Sequence, residues 1–269
     1  MTWEIFLSSL ILSVIILIPL GIKWEIPKKT GFPASIFIGL VTALIVTGVV
    51  GVSGIPFYQI VILELFLIGG ISISLLLWRF FRDPERVPPE DRSAILSPAD
   101  GKVIYVKKIE KGTILYSEKN GKKFLLKDFV HSDALPSEGY VIGILLTYLD
   151  VHVNRAPIDG RVSAVQHIKG RFLSLKNEEA VGQNERALTI IDNGHFKVGV
   201  VQIASRLVRR IVVYLQEGHT VQKGQRMGII RFGSQVDLIL PSLPSLHIEI
   251  KPGDDVKAGL SIVAKIVGP

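Results

Sequence analysis

The chain has 269 residues, of which 48% are apolar, and its 31 basic and 24 acidic side chains give a formal net charge of +7. It contains no cysteine, which excludes a disulfide framework, a thiolate metal site and a cysteine nucleophile. Residues 1–78 hold three basic and three acidic side chains, so the whole net charge falls on residues 79–269. A basic domain attached to an apolar segment suits an anionic membrane surface, and no aromatic-plus-basic motif indicates nucleic acid as a partner.

Three apolar segments within the first 78 residues predict a membrane domain of three transmembrane helices. They cover about residues 3–22, 34–51 and 57–78, lengths suited to a hydrocarbon core of about 30 Å. A cleaved signal peptide is disfavoured for the first segment, because it lacks a basic start and two further apolar segments follow. Glu64 lies in the middle of the third segment, where a functional site and a protonated or paired carboxyl are both open interpretations.

The positive charges around these segments predict their orientation. Lys23, Lys28 and Lys29 lie in the first loop, and Arg79 and Arg82 follow the third segment, whereas the second loop carries no basic residue. Positively charged loops stay in the cytoplasm. We therefore expect a multi-pass protein of the cell membrane, with its large C-terminal domain on the cytoplasmic face.

The remainder of the chain has the composition of a β domain. Three prolines within residues 84–89 predict a stiff Pro-rich linker over residues 79–92. From residue 93 to residue 269, short β-branched runs alternate with glycines, and helical periodicity is weak. Asn120-Gly121 and Asn193-Gly194 are typical hairpin turns.

Two pairs of segments repeat within this domain. Ser97–Val103 resembles Ala156–Val162, and Gly218–Ile230 resembles Gly253–Ile266. A glycine, a polar turn, a valine and then Lys-Gly or Ala-Gly before a strand is the layout of lipoyl- and biotinyl-carrier folds. The predicted fold is therefore a set of N-terminal transmembrane α-helices followed by a mainly β, barrel-sandwich-like domain.

Three polar residues are candidates for chemistry, although none indicates catalysis by itself. His152 lies between an apolar strand and a proline turn. Asp100 occupies a Pro-Ala-Asp-Gly turn, where an aspartate commonly bonds its own backbone. Ser234 follows Gly233 in a short loop, and a glycine there permits unusual backbone conformations.

These residues fall within six collinear segments that resemble the phosphatidylserine decarboxylase family in its shorter bacterial and archaeal form. The segments are Phe81–Pro84, Leu96–Val103, Val151–Pro157, Asn184–Arg186, Gln202–Ala204 with Arg209–Val212, and Gly228–Ser234. The resemblance implies a carboxy-lyase proenzyme that cuts its own chain between Gly233 and Ser234. It further implies decarboxylation of the serine headgroup of phosphatidylserine or archaetidylserine, which makes a membrane phospholipid the expected partner.

The resemblance also implies a triad of catalytic residues. Ser234 attacks the carbonyl of Gly233, His152 acts as general base and Asp100 orients His152. Elimination then separates residues 1–233, the β chain, from residues 234–269, the α chain. Residue 234 becomes a covalent pyruvoyl group, an electron sink of the kind that pyridoxal phosphate supplies elsewhere. The two chains are expected to stay associated, and self-association into a homo-oligomer is left open.

Arg155 is expected to bind the lipid phosphate or carboxylate through its planar fork. Asn154, Arg209 and Arg210 are further substrate-binding candidates, and no metal is expected. The chain departs from the family pattern at two of its positions. Arg155 stands where some members have a second histidine, and Ser205 stands where Ile-Ala-Gly is usual.

Two other functions remain open from the sequence. A membrane-anchored serine hydrolase using Asp100, His152 and Ser234 fits the chain order of known triads, although no Gly-x-Ser-x-Gly elbow is present. A non-catalytic lipoyl-like adaptor would need a modifiable lysine at a hairpin tip, and Lys102 lies at a strand start instead.

Overall fold

A computed structural model describes most of the chain. The described residues are 2–24, 26–53, 55–115, 123–125, 134–171, 173–174, 180–205, 211–231 and 234–267. They form two compact units. The first comprises Met1–Arg82 with Thr147–Leu149, and the second comprises Asp83–Leu146 with Asp150–Pro269.

Three long helices make up most of the first unit: α1 (Thr2–Lys23), α2 (Lys28–Ser53) and α3 (Phe57–Phe80). All three are long and apolar enough to cross a membrane, as the sequence predicted. α2 begins six residues before the predicted apolar segment. Hydrophobicity marks the part of a helix that suits lipid, whereas the helix itself extends through the polar turn that begins at Lys28.

Glu64 is fully buried within this helical unit and is hydrogen-bonded there. The hydroxyls of Ser8 and Ser9 in α1 both donate to Glu64 Oε1, at 2.7 and 2.8 Å. Of the two interpretations left open by the sequence, the structure shows a carboxyl paired between α1 and α3. Interhelical bonds of this kind contribute on average about 0.6 kcal/mol each in membrane proteins.

The second unit is built almost entirely of short strands. They are β1 (Ala94–Leu96), β2 (Gly101–Ile109), β3 (Thr113–Leu115), β4 (Lys123–Leu125), β5 (Gly139–Leu146), β6 (Val153–Arg155), β7 (Gly160–Ile168), β8 (Arg186–Asp192), β9 (Lys197–Ala204), β10 (Ile211–Val213), β11 (Thr220–Val221), β12 (Arg226–Ile230), β13 (Ser234–Pro241), β14 (Leu246–Ile248), β15 (Asp255–Val256) and β16 (Ile262–Ile266). One short helix, α4 (Ala180–Gln183), precedes β8. The predicted mainly β domain is thus confirmed.

A curled eight-stranded sheet, in the order β11-β7-β8-β9-β13-β5-β2-β15, forms the body of this unit. Two three-stranded sheets, β1-β16-β14 and β10-β12-β6, accompany it, together with the hairpin of β3 and β4. β13 is a central strand, since it pairs antiparallel with β5 on one side and with β9 on the other. Its first residue, Ser234, lies opposite Leu146 and Ala204.

Apolar residues cover both faces of the eight-stranded sheet. On one face, Val236, Ile144 and Val200 belong to the main core, which also includes residues of the two three-stranded sheets. Alternate residues such as Val201 and Ile239 belong to a second cluster on the other face. Because successive side chains of a strand point to opposite faces, burial of both faces explains the nearly continuous Val and Ile runs of the sequence.

The repeated segments of the sequence occupy equivalent places in the fold. β2 and β7 each begin at the glycine of an Asp-Gly pair, where Gly101 pairs with Val256 of β15 and Gly160 with Val221 of β11. A Cβ on Gly101 would lie 2.2 Å from the Leu145 carbonyl oxygen, and one on Gly160 would lie 2.5 Å from that of Asp192. The Asp-Gly repeat therefore reflects two positions where a strand approaches its neighbour too closely for a side chain.

The predicted linker is partly absorbed into the β unit. α3 ends at Phe80, and residues from Asp83 onward group with the strands. The guanidinium of Arg155 contacts Asp83, and that of Arg226 contacts Asp83 and Glu85. Residues 83–92 are therefore fixed by ion pairs to the domain that follows them.

Candidate active site

Ser234 begins the central strand of the β unit and is fully buried. Its Oγ has no hydrogen-bond partner among the residues that the structure describes. The preceding residue, Gly233, lies outside the described residues, so the structure describes only Ser234 of the predicted cleavage site. Ser234 faces the main core, as do Val236 and Leu238 two and four residues further along the strand.

Two buried amides lie on the same side of the sheet as Ser234. Gln202 Nε2 in β9 donates to Asn154 Oδ1 in β6 at 2.7 Å, and both side chains are fully buried. Within the described part of the chain, Asn154 Nδ2 and Gln202 Oε1 have no hydrogen-bond partner. Leaving a polar group buried and unsatisfied costs about 1–3 kcal/mol.

The backbone leaves room for this amide pair at Gly228 in β12. A Cβ on Gly228 would lie 3.0 Å from Gln202 Nε2 and 2.6 Å from the Val212 carbonyl oxygen. Gly228 also pairs with Asn154 in the β6–β12 ladder. The sequence prediction named Asn154 for substrate binding but did not name Gln202. The available signal was one polar residue within the apolar strand Val198–Ala204.

His152 directly precedes β6 and is fully buried. Its backbone carbonyl accepts a hydrogen bond from the Ile230 N–H at 3.2 Å, four residues before Ser234. Its Nδ1 lies 2.9 Å from the Asp150 carbonyl oxygen. Because a carbonyl oxygen can only accept, Nδ1 carries the proton, and Nε2 of the neutral ring is the basic nitrogen.

Asp100 has other partners than the predicted histidine. Its two oxygens accept from Arg86 Nη1 and Nη2 at 2.5 and 2.9 Å, and Oδ1 also accepts from the Ala258 N–H at 2.8 Å. Among the described residues, His152 Nδ1 donates to the Asp150 carbonyl, whereas the Asp100 carboxylate accepts from Arg86 and from the Ala258 N–H. The orienting role predicted for Asp100 stays a prediction.

Arg155, which the sequence predicts to bind substrate, is buried and hydrogen-bonded within the chain. It is 3% exposed, and it donates to the Gly224 carbonyl at 3.0 Å, the Pro84 carbonyl at 2.9 Å and Asp83 Oδ1 at 3.2 Å. Burial lowers the pKa of Arg155, and the negative charge of Asp83 opposes that shift. Its guanidinium holds residues 83–84 against the β unit. Of the other predicted substrate-binding residues, Arg209 and Arg210 lie outside the described residues.

A second polar cluster lies on the opposite face of β13, one residue beyond Ser234. Tyr105 Oη donates to Asp237 Oδ2 at 2.7 Å, and Gln235 Nε2 donates to Tyr105 Oη and to Asp237 Oδ1, each at 2.7 Å. Gly143 lies beneath the tyrosine ring, because a Cβ there would be 2.3 Å from the ring. The cluster fixes the first residues of the central strand from the side away from Ser234.

Comparison with known proteins identifies the family of this fold and site. A sequence model described as phosphatidylserine decarboxylase matches residues 73–264. The chain is 41% identical over 201 residues to a putative archaetidylserine decarboxylase proenzyme of Methanocaldococcus jannaschii, covering 75% of this chain and 95% of that protein. It is 39% identical over 189 residues to a phosphatidylserine decarboxylase proenzyme of Desulfotalea psychrophila, covering 70% and 78%. The chain belongs to the phosphatidylserine decarboxylase family, as the six collinear segments indicated.

Proposed function

We propose that this chain is a carboxy-lyase proenzyme that cuts itself between Gly233 and Ser234. The mature enzyme then decarboxylates the serine headgroup of a membrane phospholipid, phosphatidylserine or archaetidylserine, to the ethanolamine lipid. The observation that carries this proposal is Ser234 itself. It has a buried hydroxyl without a partner among the described residues, in an apolar core, at the first residue of a strand held on both sides.

The self-cleavage uses groups that belong to the chain. Ser234 Oγ attacks the carbonyl carbon of Gly233, and His152 Nε2 accepts the hydroxyl proton. The amide C–N bond breaks as an ester forms on the Ser234 oxygen. Loss of the Ser234 Cα proton and of the Cβ–O bond then releases residue 233 as a carboxylate. Addition of one water and loss of ammonia convert residue 234 into the pyruvoyl group.

The residues around Ser234 fit a pyruvoyl group at this position. Leu146 and Ala204 flank it in the neighbouring strands and exclude water, and the amides of Asn154 and Gln202 supply polar neighbours on the same face. When present, the group supplies an electron sink for loss of carbon dioxide. His152 is the residue that returns a proton to the substrate carbon after that loss.

The register of β13 supports the proposal that the two chains remain together after cleavage. Residues 234–241 form ladders with β5 and β9, and all of those partner residues belong to residues 1–233. β15 and β16 pair with β2 and β1 in the same way. Three strands of residues 234–269, namely β13, β15 and β16, would have to leave their sheets before the α chain dissociated. Self-association of the whole protein remains a separate expectation.

We assign the domains as residues 1–78 for the membrane domain, 79–92 for the linker and 93–269 for the catalytic domain. The repeated Asp-Gly strand starts support a barrel-sandwich-like description of the catalytic domain.

The basic residues after α1 and α3 support a location at the cell membrane with the catalytic domain on the cytoplasmic face. Arg209 and Arg210 are proposed to bind the lipid phosphate together with Asn154 and Arg155, although the Arg155 guanidinium also bonds the Gly224 and Pro84 carbonyls.

Denaturing mass spectrometry of the full chain in nanodiscs tests the proposal. A decarboxylase of this kind yields a fragment of 36 residues, from 234 to 269, with a blocked N-terminus. Ser234→Ala should prevent both cleavage and release of labelled carbon dioxide from headgroup-labelled lipid. An active wild-type protein that remains one uncut chain would contradict the pyruvoyl mechanism and favour a serine hydrolase. Parallel assays with ester-linked and ether-linked lipids identify the substrate.

A further inference from the structure

The backbone carbonyl of Ser234 points toward β5 and not toward β9. In an antiparallel ladder, hydrogen-bonded pairs of residues alternate with pairs that are not hydrogen-bonded. In β9, the Ala204 N–H donates to the Glu185 carbonyl at 3.0 Å, and the Ala204 carbonyl accepts from Asn184 Nδ2 at 2.9 Å. Both backbone groups of Ala204 therefore point away from β13, although Ala204 lies opposite Ser234. The backbone groups of Ser234 must point to its other neighbour, β5.

The partner of the Ser234 carbonyl in β5 is the N–H of Leu146. A Cβ on Gly101 of β2 would lie 2.2 Å from the Leu145 carbonyl oxygen, so the backbone groups of Leu145 point toward β2. Those of the next residue, Leu146, therefore point toward β13, where Leu146 lies opposite Ser234. Leu146 and Ser234 thus form a hydrogen-bonded pair, in which the Leu146 N–H donates to the Ser234 carbonyl oxygen.

The Ser234 carbonyl takes part in the proposed self-cleavage after the ester has formed on the Ser234 oxygen. His152, neutral again once the hydroxyl proton has passed to the Ser234 nitrogen, accepts the Cα proton of Ser234. The electron pair of that C–H bond moves onto the Ser234 carbonyl oxygen as an enolate. It then returns to form the Cα–Cβ double bond while the Cβ–O bond breaks, and residue 233 leaves as a carboxylate.

The Leu146 N–H lies at the atom where this negative charge collects. A hydrogen-bond donor that is fixed in advance in a water-free site stabilises a developing oxyanion strongly. Ser234 is fully buried and Leu146 is 3% exposed, so water does not supply this hydrogen bond. The ladder holds the N–H in place before the charge develops, because it is formed in the uncut chain.

We propose that the backbone N–H of Leu146 is a catalytic group that stabilises the enolate oxygen of residue 234 during self-cleavage. β5 belongs to residues 1–233, so the donor stays in place in the β chain after the cut. The same carbonyl is the amide carbonyl next to the ketone of a pyruvoyl group at residue 234, and the hydrogen bond polarises it there as well. This inference rests on the proposed function, since it assigns a further group to the same reaction.

The first test removes this single N–H and keeps the leucine side chain. Full-length protein is synthesised without cells in the presence of nanodiscs, and a chemically acylated suppressor tRNA replaces Leu146 by its α-hydroxy acid. Release of the blocked 234–269 fragment, followed by mass spectrometry, should slow about 100-fold. Hydroxylamine should then release a 234–269 fragment that begins with unmodified serine, because the ester on Ser234 persists when elimination is slow.

Ile144 offers a matched control two residues earlier in β5. Its backbone groups point toward β13 in the same way, it lies opposite Val236, and both residues are fully buried. Replacing Ile144 by its α-hydroxy acid removes a ladder hydrogen bond of the same kind but leaves the carbonyl of residue 234 untouched. This variant should cleave at close to the wild-type rate and release no serine-terminated fragment.

Three outcomes separate the inference from the proposed function. Failure of the wild-type chain to cleave would overturn the proposed function. A wild-type chain that cleaves, together with a Leu146 variant no slower than the Ile144 variant, would overturn the inference alone. A slow Leu146 variant without the serine-terminated fragment would place the effect before ester formation, and it would also overturn the assignment to the enolate.

The second test does not depend on activity. In the uncut Ser234→Ala chain, a carbon-13 and oxygen-18 label in the carbonyl of residue 234 gives a separate infrared band. This band should shift to higher frequency when Leu146 is replaced by its α-hydroxy acid, because the carbonyl loses a hydrogen bond. It should keep its position in the Ile144 variant. An unchanged band in the Leu146 variant would show that this N–H does not bond the carbonyl, which would overturn the inference.

Discussion

Arg86 binds Asp100 through both terminal nitrogens of its guanidinium, at 2.5 and 2.9 Å, and both side chains are less than a tenth exposed. The same carboxylate accepts from the Ala258 N–H. The internal repeat contains a bond equivalent to the one from Ala258. Asp159 accepts from the Lys223 N–H at 2.7 Å in the corresponding turn. Asp100 therefore has a structural role shared by both copies of the repeat, and Arg86 compensates its burial in one copy.

Arg86→Ala should destabilise the protein by about 3–5 kcal/mol, because it leaves the Asp100 carboxylate buried without its cation. Chemical denaturation of the detergent-solubilised chain measures the loss. Asp100→Asn combined with Arg86→Ala should cost less than the sum of the single changes, since the two side chains act as one unit. If Asp100→Asn stops cleavage while leaving stability unchanged, Asp100 acts on His152 after all.

His152→Gln should slow self-cleavage at least 100-fold, in the range that loss of a general base produces. The Nδ1 contact with the Asp150 carbonyl assigns the basic role to Nε2, and glutamine has no equivalent base. The intact mass of the chain, followed over time, measures the effect. His247→Gln is the control, because His247 is exposed on β14, and it should cleave as the wild type does. Equal rates in all three proteins would exclude His152 as the base.

Tyr105→Phe should lower the free energy of unfolding by about 1–3 kcal/mol, because Asp237 loses a donor in a buried site. Tyr140→Phe is a suitable control. Tyr140 lies in the neighbouring strand β5, and no hydrogen bond of its hydroxyl is present in the described residues. Equilibrium denaturation of both variants measures the difference. Similar losses in the two variants would mean that the Tyr105–Asp237 hydrogen bond contributes nothing.

Asp91 should produce a measurable acid dependence of stability. Its hydrogen bond with Ser93, together with Lys265, lowers the pKa of Asp91 from 3.8 to about 2. A carboxyl with a lowered pKa in the folded state stabilises the protein above pH 3.8, and that contribution is lost as pH falls toward 2. Asp91→Asn should therefore flatten the decline of Tm between pH 4 and pH 2. An unchanged decline would show that the shift is absent.

Local patterns in the sequence were sufficient to predict the three apolar helices and the mainly β domain. Long apolar runs predicted α1, α2 and α3, and β-branched runs between glycines predicted the strands, because hydrophobic periodicity and turn chemistry act over a few residues. Six collinear segments predicted the family, which comparison with relatives confirmed, and the role of Ser234 stays a prediction. The Asp-Gly repeat was visible as well, although its cause, close approach of a neighbouring strand, was not.

The partners of the site residues were decided by tertiary structure alone. Gln202 meets Asn154 across 48 positions of sequence, and Arg155 meets Asp83 across 72. The contact of Arg86 with Asp100 could not be predicted from the sequence either. A sequence shows which side chains can donate or accept, whereas long-range packing determines which of them meet.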